Sequence, residues 1–224
     1  MRLVLLADLH GSTAHLAAIR GCLAGADAVL LAGDITQFGD AEAAARVVDA
    51  LSAVNPRIAA VHGNCDRPEV QTYLADRGVG VHGEARPIAG LTFVGVGGAL
   101  LGSGRTPSEA DDLAFRAVLD QAGQGLEDPP WGLGPQALVL VTHQPAHGTR
   151  LDTPFTGGHA GSPAIRAFIE RHRPILAVSG HLHEVIGVDR IGPTTLVNPG
   201  PFRQGRYAVV EIDAHEAQVE LRTA

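Results

Sequence analysis

Six apolar runs punctuate the chain; four of them close on Asp, Asn or His, and a fifth has His next to its last residue. They are LVLLAD (3–8), AVLLAGD (28–34), IAAVHGN (58–64), LTFVGVGG (91–98), ALVLVTHQ (137–144) and ILAVSGHLH (175–183). None alternates polar with apolar residues, so each predicts a strand buried on both faces, in a sheet covered by helices or by a second sheet. Helix-like stretches separate the early runs. In 41–54, Ala44, Val47, Val48 and Leu51 share one face and Asp40 stands where an N-cap belongs. Stretches 12–24, 68–77, 108–122 and 163–172 read the same way, with Ser108 as the cap of the segment it begins. Strand alternating with helix predicts an α/β fold.

The last fifth changes character. EVIGVDRIGPTTLVNPG (184–200) and GRYAVVEIDAHEAQVELRT (205–223) predict consecutive strands with tight turns, as in a second, more antiparallel sheet. Gly123 to Pro135 reads as a Gly/Pro loop, functional or mobile at that length. With no internal repeat and 45% hydrophobic residues in 224, the expectation is a single domain spanning 1–224.

Composition removes several function classes. The chain has no lysine, which excludes a Walker A loop, a Schiff-base enzyme and a pyridoxal-phosphate enzyme, each of which needs that amine. Its net charge of −7 comes without a basic cluster, so no dedicated nucleic-acid partner is expected. A small anionic substrate stays compatible, because bound cations can supply positive charge locally. The N-terminal apolar run is too short for a secretory segment or a membrane span, predicting a cytoplasmic protein with no membrane partner. Cys22 and Cys65 form neither a disulfide framework nor a C-x-x-C pair, and no feature marks an oligomer interface.

The chemistry gathers where strands end. Asp8, His10, Asp34, Asn64, His143, His181 and His183 come from five segments, and the carboxyl ends of strands are where α/β sheets bind ligands. The aspartates and Asn64 alone read as turn or cap residues, and a lone His143 as a satisfied core or surface histidine. His181 and His183 are more telling, since residues two apart on an extended segment point the same way. Carboxylate, amide and imidazole donors suit Mn²⁺, Fe or Zn²⁺ better than Ca²⁺. Seven exceed what one ion needs, whereas two ions sharing a carboxylate would use them all.

In order, DLH (8–10), GD (33–34), GNCD (63–66), TH (142–143) and GHLH (180–183) resemble the five-motif signature of the calcineurin-like metallophosphoesterases across nearly the whole chain. The likeness is greatest to small bacterial and archaeal phosphodiesterase-like members. It implies a four-layer α/β/β/α sandwich, two mixed β-sheets flanked by helices, with a dinuclear centre at the rim. By position it assigns Asp8, His10 and His183 to one ion, Asn64, His143 and His181 to the other, and Asp34 as the bridge. Such a pair, roughly 4 Å apart, implies attack on phosphorus by a bridging hydroxide, with two divalent ions, manganese first and Fe or Zn²⁺ as alternatives. Asn64 would neutralise phosphoryl oxygens, and Asp66 would orient His10 or a bound water.

Cys65 is where the chain departs from the resemblance. Many members of the family carry His there, assigned to stabilising the transition state or protonating the leaving group. A thiol is a poorer acid for an alkoxide, and loss of a positioned acid costs about 10²- to 10⁴-fold. The expectation is therefore a phosphodiesterase acting on small nucleotide-type or cyclic esters, with Asn64, Cys65 and Asp66 at the reacting centre. His159 is the expected replacement imidazole and His147 its rival. A phosphomonoesterase, a nuclease and a non-catalytic scaffold are the alternatives, the scaffold predicting eroded ligands where all seven stand. Arg105, Arg150, Arg203 and Arg206 are the candidate contacts to the rest of the substrate.

Overall fold

The structure, a computed structural model, describes residues 1–102, 104–127, 138–213 and 216–224. The first three apolar runs become β1 (Arg2–Leu6), β2 (Ala28–Ala32) and β3 (Ile58–Val61), buried throughout except at Arg2. They pair in parallel, Leu3 opposite Ala28 and Val29 opposite Ile58, so a crossover must join each pair. Helices α1 (Arg20–Ala24) and α2 (Ala41–Ser52) lie in those crossovers, and α3 (Pro68–Asp76) follows β3. The Asp40 carboxylate accepts the Ala43 N–H and starts α2, whose buried face is Ala44, Val47, Val48 and Leu51.

Further along come β4 (Ala85–Ile88), β5 (Leu91–Val96), a short ribbon of β6 (Ala99–Leu100) and β7 (Glu109–Ala110), then α4 (Asp112–Glu127) and β8 (Leu138–Thr142). They are followed by α5 (Pro163–His172), β9 (Leu176–Val178), β10 (Gly187–Ile191), β11 (Thr194–Asn198), β12 (Arg206–Ile212) and β13 (Ala217–Thr223). One sheet has the order β13-β12-β1-β2-β3 and the other β10-β11-β9-β8-β5-β4. Alternate residues of one strand enter different layers. Val4 and Leu6 of β1 pack with Val47 and Leu74 of the helices, while Leu3 and Leu5 meet Phe93 and Val141 of the opposite sheet. Leu138 and Leu140 of β8 face Phe115 and Phe168 on the far side. The result is the expected α/β/β/α sandwich, and it explains why the runs do not alternate. Among the described residues no helix is long and apolar enough to cross a membrane.

Four local expectations fail. The last fifth does not make a sheet of its own: the β10–β11 hairpin extends one sheet and β12–β13 the other, because β12 pairs antiparallel with β1 and β11 parallel with β9. Only Arg20–Ala24 of 12–24 is helical, and the residues before it turn back to carry the loop after β1. Ser108 does not cap α4. Asp111 accepts the Ala114 N–H, while Ser108 donates to the Asp66 carbonyl. Of the expected loop at 123–135, the first five residues continue α4 and the rest lies outside the described residues, as does Ala137.

Candidate metal centre

All seven candidate ligands follow the carboxyl ends of strands: Asp8 and His10 after β1, Asp34 after β2, Asn64 after β3, His143 after β8, and His181 and His183 after β9. Backbone bonds tie these loops together. His10 N–H meets the Asp34 carbonyl at 2.8 Å, Asp8 N–H the Gly33 carbonyl at 3.1 Å, and Gly180 N–H the His143 carbonyl at 3.1 Å. Asp8, His10, Asp34 and His181 all hold left-handed backbone, with φ between 47° and 69°. Such a conformation costs about 1–3 kcal/mol per residue and persists where the surroundings over-determine it. Space is equally tight. A Cβ on Gly63 would overlap the Asp34 carboxylate, and one on Gly33, itself at φ +80°, would strike the His143 ring.

The side chains form two groups that share Asp34. On one side, His143 Nε2 and His181 Nδ1 lie 3.0 and 2.9 Å from Asn64 Oδ1, and His143 Nε2 is 3.4 Å from Asp34 Oδ1. On the other, Asp34 Oδ2 is 3.7 Å from His10 Nε2, which is 3.3 Å from His183 Nε2, itself 3.2 Å from Asp8 Oδ1. One donor atom from each of Asp8, His10, Asp34 and His183 falls within 4.8 Å of all the others. Ligands about 2.1 Å from one cation and at right angles stand about 3 Å apart, so these separations fit metal coordination. The chemistry fits too. Asp8 Oδ2 and His10 Nδ1 are buried without hydrogen-bond partners, and an unpaired buried carboxylate oxygen is costly unless a cation meets it.

The protonation states of Asp8, His10 and His181 favour ligation. Burial works against ionising Asp8, but His183, His143 and His10 outweigh it and hold its pKa below the usual value. Burial depresses His10 despite Asp34 and Asp8, and depresses His181 to about 4, so both rings are neutral at pH 7 with a lone pair available. Burial also opposes a charge on His143, yet Asp34, Asp8 and its bond to the Ala32 carbonyl raise its pKa.

Residues 1–185 of the chain match the family described as calcineurin-like phosphoesterase. The chain belongs to that family. Its members are dimetal-dependent hydrolases of phosphate esters. A curated relative, the uncharacterized protein MJ1162 of Methanocaldococcus jannaschii, is 30% identical over 207 residues, covering 90% of this chain and 88% of its own. Among solved structures, TT1561 of Thermus thermophilus superposes with a TM-score of 0.72 at 20% identity, covering 99% of this chain and 98% of that one. A dimetal phosphatase of Danio rerio gives 0.57 at 12% identity, covering 98% of each chain. At these identities the two likenesses speak for the fold.

Within this phosphoesterase the GNCD turn is built differently from expectation. Asp66 does not reach His10, whose Nδ1 has no partner. Its fully buried carboxylate instead accepts the Ile35, Thr36 and Gly63 N–H groups at 3.0, 2.7 and 2.8 Å, and the Thr36 hydroxyl at 2.8 Å. It pins the loop carrying Asp34 to the loop carrying Asn64. Cys65 donates its backbone N–H to Asp34 Oδ1 at 2.8 Å, and its sulfur accepts from Asn64 Nδ2 at 3.7 Å. That contact turns Asn64 Oδ1 toward His143 and His181. Burial and the carboxylates of Asp34, Asp66 and Asp8 push the Cys65 thiol far up, so it is no thiolate nucleophile.

His147 and His159 lie in the loop after β8, their rings 5.2 Å apart and each facing Asp152. His159 Nδ1 is 2.8 Å from Asp152 Oδ1, and among the described residues no hydrogen bond or ring contact joins either histidine to the seven. Of the four arginines, Arg203 reaches the centre, its guanidinium 3.4 Å from His183 Nδ1. Arg150 is engaged by Asp189 and Arg206 by Thr223. Three supporting features had no reading in the sequence: Asp66 as a clamp, buried Asn198, which donates to the Leu182 carbonyl, and Phe38. Phe38 is 44% exposed at φ +56°, its N–H bonded to the Cys65 carbonyl. The signal for Asp66 was the GD-to-GNxD pairing itself, since one buried carboxylate can close two turns.

Proposed function

We propose that this phosphoesterase is a phosphodiesterase that hydrolyses small nucleotide-type or cyclic diesters with two divalent cations, manganese foremost and iron or zinc as alternatives. The observation that carries the dinuclear reading is Asp34, which turns Oδ1 toward His143 and Oδ2 toward His10. Asp8, His10 and His183 would complete one ion's shell, and Asn64, His143 and His181 the other's. When bound, the ions supply positive charge against phosphoryl oxygens and acidity to water.

The chain's own groups do the rest. Asn64, its Oδ1 committed to two rings, keeps amide N–H for a phosphoryl oxygen, and the exposed Arg203 cation offers a second contact beside His183. Phe38, exposed and joined through its backbone N–H to the Cys65 carbonyl, offers an aromatic ring suited to stacking on an aromatic part of an ester. The diester preference rests on Cys65, a buried thiol where an imidazole would protonate an alkoxide. Supporting His159 as a substitute is its pairing with Asp152, which holds a proton on Nδ1 and leaves Nε2 free. Against it stands the lack of contact with the seven.

The test is hydrolysis of an aryl phosphodiester and its matching monoester by metal-stripped protein with Mn²⁺ restored. Manganese-dependent cleavage favouring the diester is expected. No turnover of either ester with two ions bound would instead make the protein a scaffold. His159→Ala is read in the same assay: lost turnover with both ions retained supports the substitute acid, and unchanged kinetics dismisses it.

A further inference from the structure

A cavity of about 330 Å³ opens between α3 and α4, and none of the seven candidate ligands lines it. Its floor is the end of β3, where His62 is nine-tenths buried and its Nδ1 has no hydrogen-bond partner. His82 stands beside it, ring centroids 5.0 Å apart, with Nδ1 accepting the Gly97 N–H at 2.9 Å. That bond puts the His82 proton on Nε2, and burial keeps the ring neutral down to about pH 4. Gln71 of α3 lines the same space, and its amide has no partner among the described residues. The walls are apolar: Val96, Phe115 and Val118.

Charge narrows the occupant. Among the described residues no arginine lines the cavity, so nothing there answers a phosphate. Among the described lining residues Glu109 alone carries a carboxylate, and it is already taken by the N–H groups of Gly102, Gly104 and Thr106 and by the Thr106 hydroxyl, so a cation finds no free carboxylate. What remains is an apolar slot edged by an imidazole N–H, an unpaired imidazole and an amide. An amide sets a donor beside an acceptor, the pattern that pairs with the edge of adenine. Its volume sits at the lower end of small-ligand pockets.

We propose that this cavity is a second binding site, for an uncharged heteroaromatic group of nucleobase size. It lies directly behind the Asn64–Asp66 turn, because Ser108 in its wall donates its N–H to the Asn64 carbonyl and its hydroxyl to the Asp66 carbonyl. The inference does not depend on the phosphodiester reading.

The test is calorimetric titration of adenosine into the metal-free full chain, where no phosphate and no ion can contribute. Saturable binding with Kd below about 1 mM is expected. It should weaken about tenfold in Gln71→Ala, which removes the paired amide. It should vanish in Ala114→Phe, which fills the slot from α4. No saturable heat in the wild-type chain, or heat unchanged in Gln71→Ala, overturns the proposal. If Ala114→Phe does not fold, Gln71→Ala decides alone. Two sources of the base are then separated in manganese-loaded protein. Adenosine that raises KM for an aryl diester at constant kcat marks the site as the base pocket of the substrate, and adenosine that changes kcat marks a separate effector.

Discussion

Two groups of aspartate and histidine lie in this molecule, and they are built on opposite principles. Around Asp152 every demand of the carboxylate is met from within, by the N–H groups of Gly148, Thr149 and Gly161 and by His159. Those hydrogen bonds hold Asp152 ionised against the cost of its burial, keeping its pKa below the usual value. Around Asp34 the demands are left open. Asp8 Oδ2 and His10 Nδ1 are sealed from water without partners, two imidazole nitrogens face each other at 3.3 Å, and four of the seven residues hold left-handed backbone. The first group is finished by folding. The second is left for a cation to finish, and the difference lies in partners, not in residue types.

The largest effect should come from the residue that joins the two halves of the open group. Asp34→Ala should lower turnover by on the order of 10³-fold, since charge stabilisation at both ions is disturbed together. Elemental analysis after dialysis should show fewer than two ions per chain. Manganese should raise the melting temperature of the wild-type chain and not that of the variant. An Asp34→Ala chain that still binds two ions would break the comparison at its centre.

The next two predictions set one buried carboxylate against the other. Asp66→Ala should reduce metal affinity about 10- to 100-fold, although Asp66 touches no ion, because it clamps the loops that present Asp34 and Asn64. Asp152→Ala should cost about 2 kcal/mol of unfolding free energy, leaving three backbone N–H groups unpaired, with metal content unchanged. Manganese titration and urea unfolding of both variants separate the two roles. Equal metal loss in both would mean that the loop after β8, not the GNCD turn alone, positions His143.

Much of this was legible in the sequence, and what was not has a common cause. The five motifs named the candidate ligands because each sits at a strand terminus, a position that apolar runs mark directly. The layers were legible because strands such as LVLLA cannot bury both faces any other way. The misreadings concern partners across space. The GD and GNxD motifs signal that their two turns belong together, but not that Asp66 turns its oxygens to Ile35 and Thr36, and no linear pattern says that Asp111 and not Ser108 starts α4. The final hairpins divided between two sheets because edge pairing is decided by which strand, β1 or β9, remains open beside them.

Cys65→His tests the position at which the resemblance read from the sequence leads to the expectation of an imidazole. An imidazole there should speed the monoester more than the diester, lowering the ratio of diester to monoester turnover about tenfold. An unchanged ratio with both ions bound would remove the case for a diester preference drawn from this residue. It would leave Cys65 as a prop for the Asn64 amide alone.

The smallest effect belongs to a histidine outside both groups. His82 is neutral when folded, with a pKa of about 4, while the unfolded chain takes up a proton near 6.5. A depressed histidine stabilises the fold least in acid. As pH falls below 6.5 the unfolded state binds the proton that the folded state refuses, and stability declines until the pH reaches the folded pKa. At pH 5.5 the loss is about 1 kcal/mol relative to neutral pH. His82→Asn keeps an acceptor near the place of Nδ1 for the Gly97 N–H and removes the titration, so its stability should be flatter between pH 7 and pH 5 than that of the wild-type chain. Urea unfolding at three pH values reads the difference. A wild-type profile as flat as that of the variant would show that His82 is solvated in the native state, and that the slot beside His62 admits water freely.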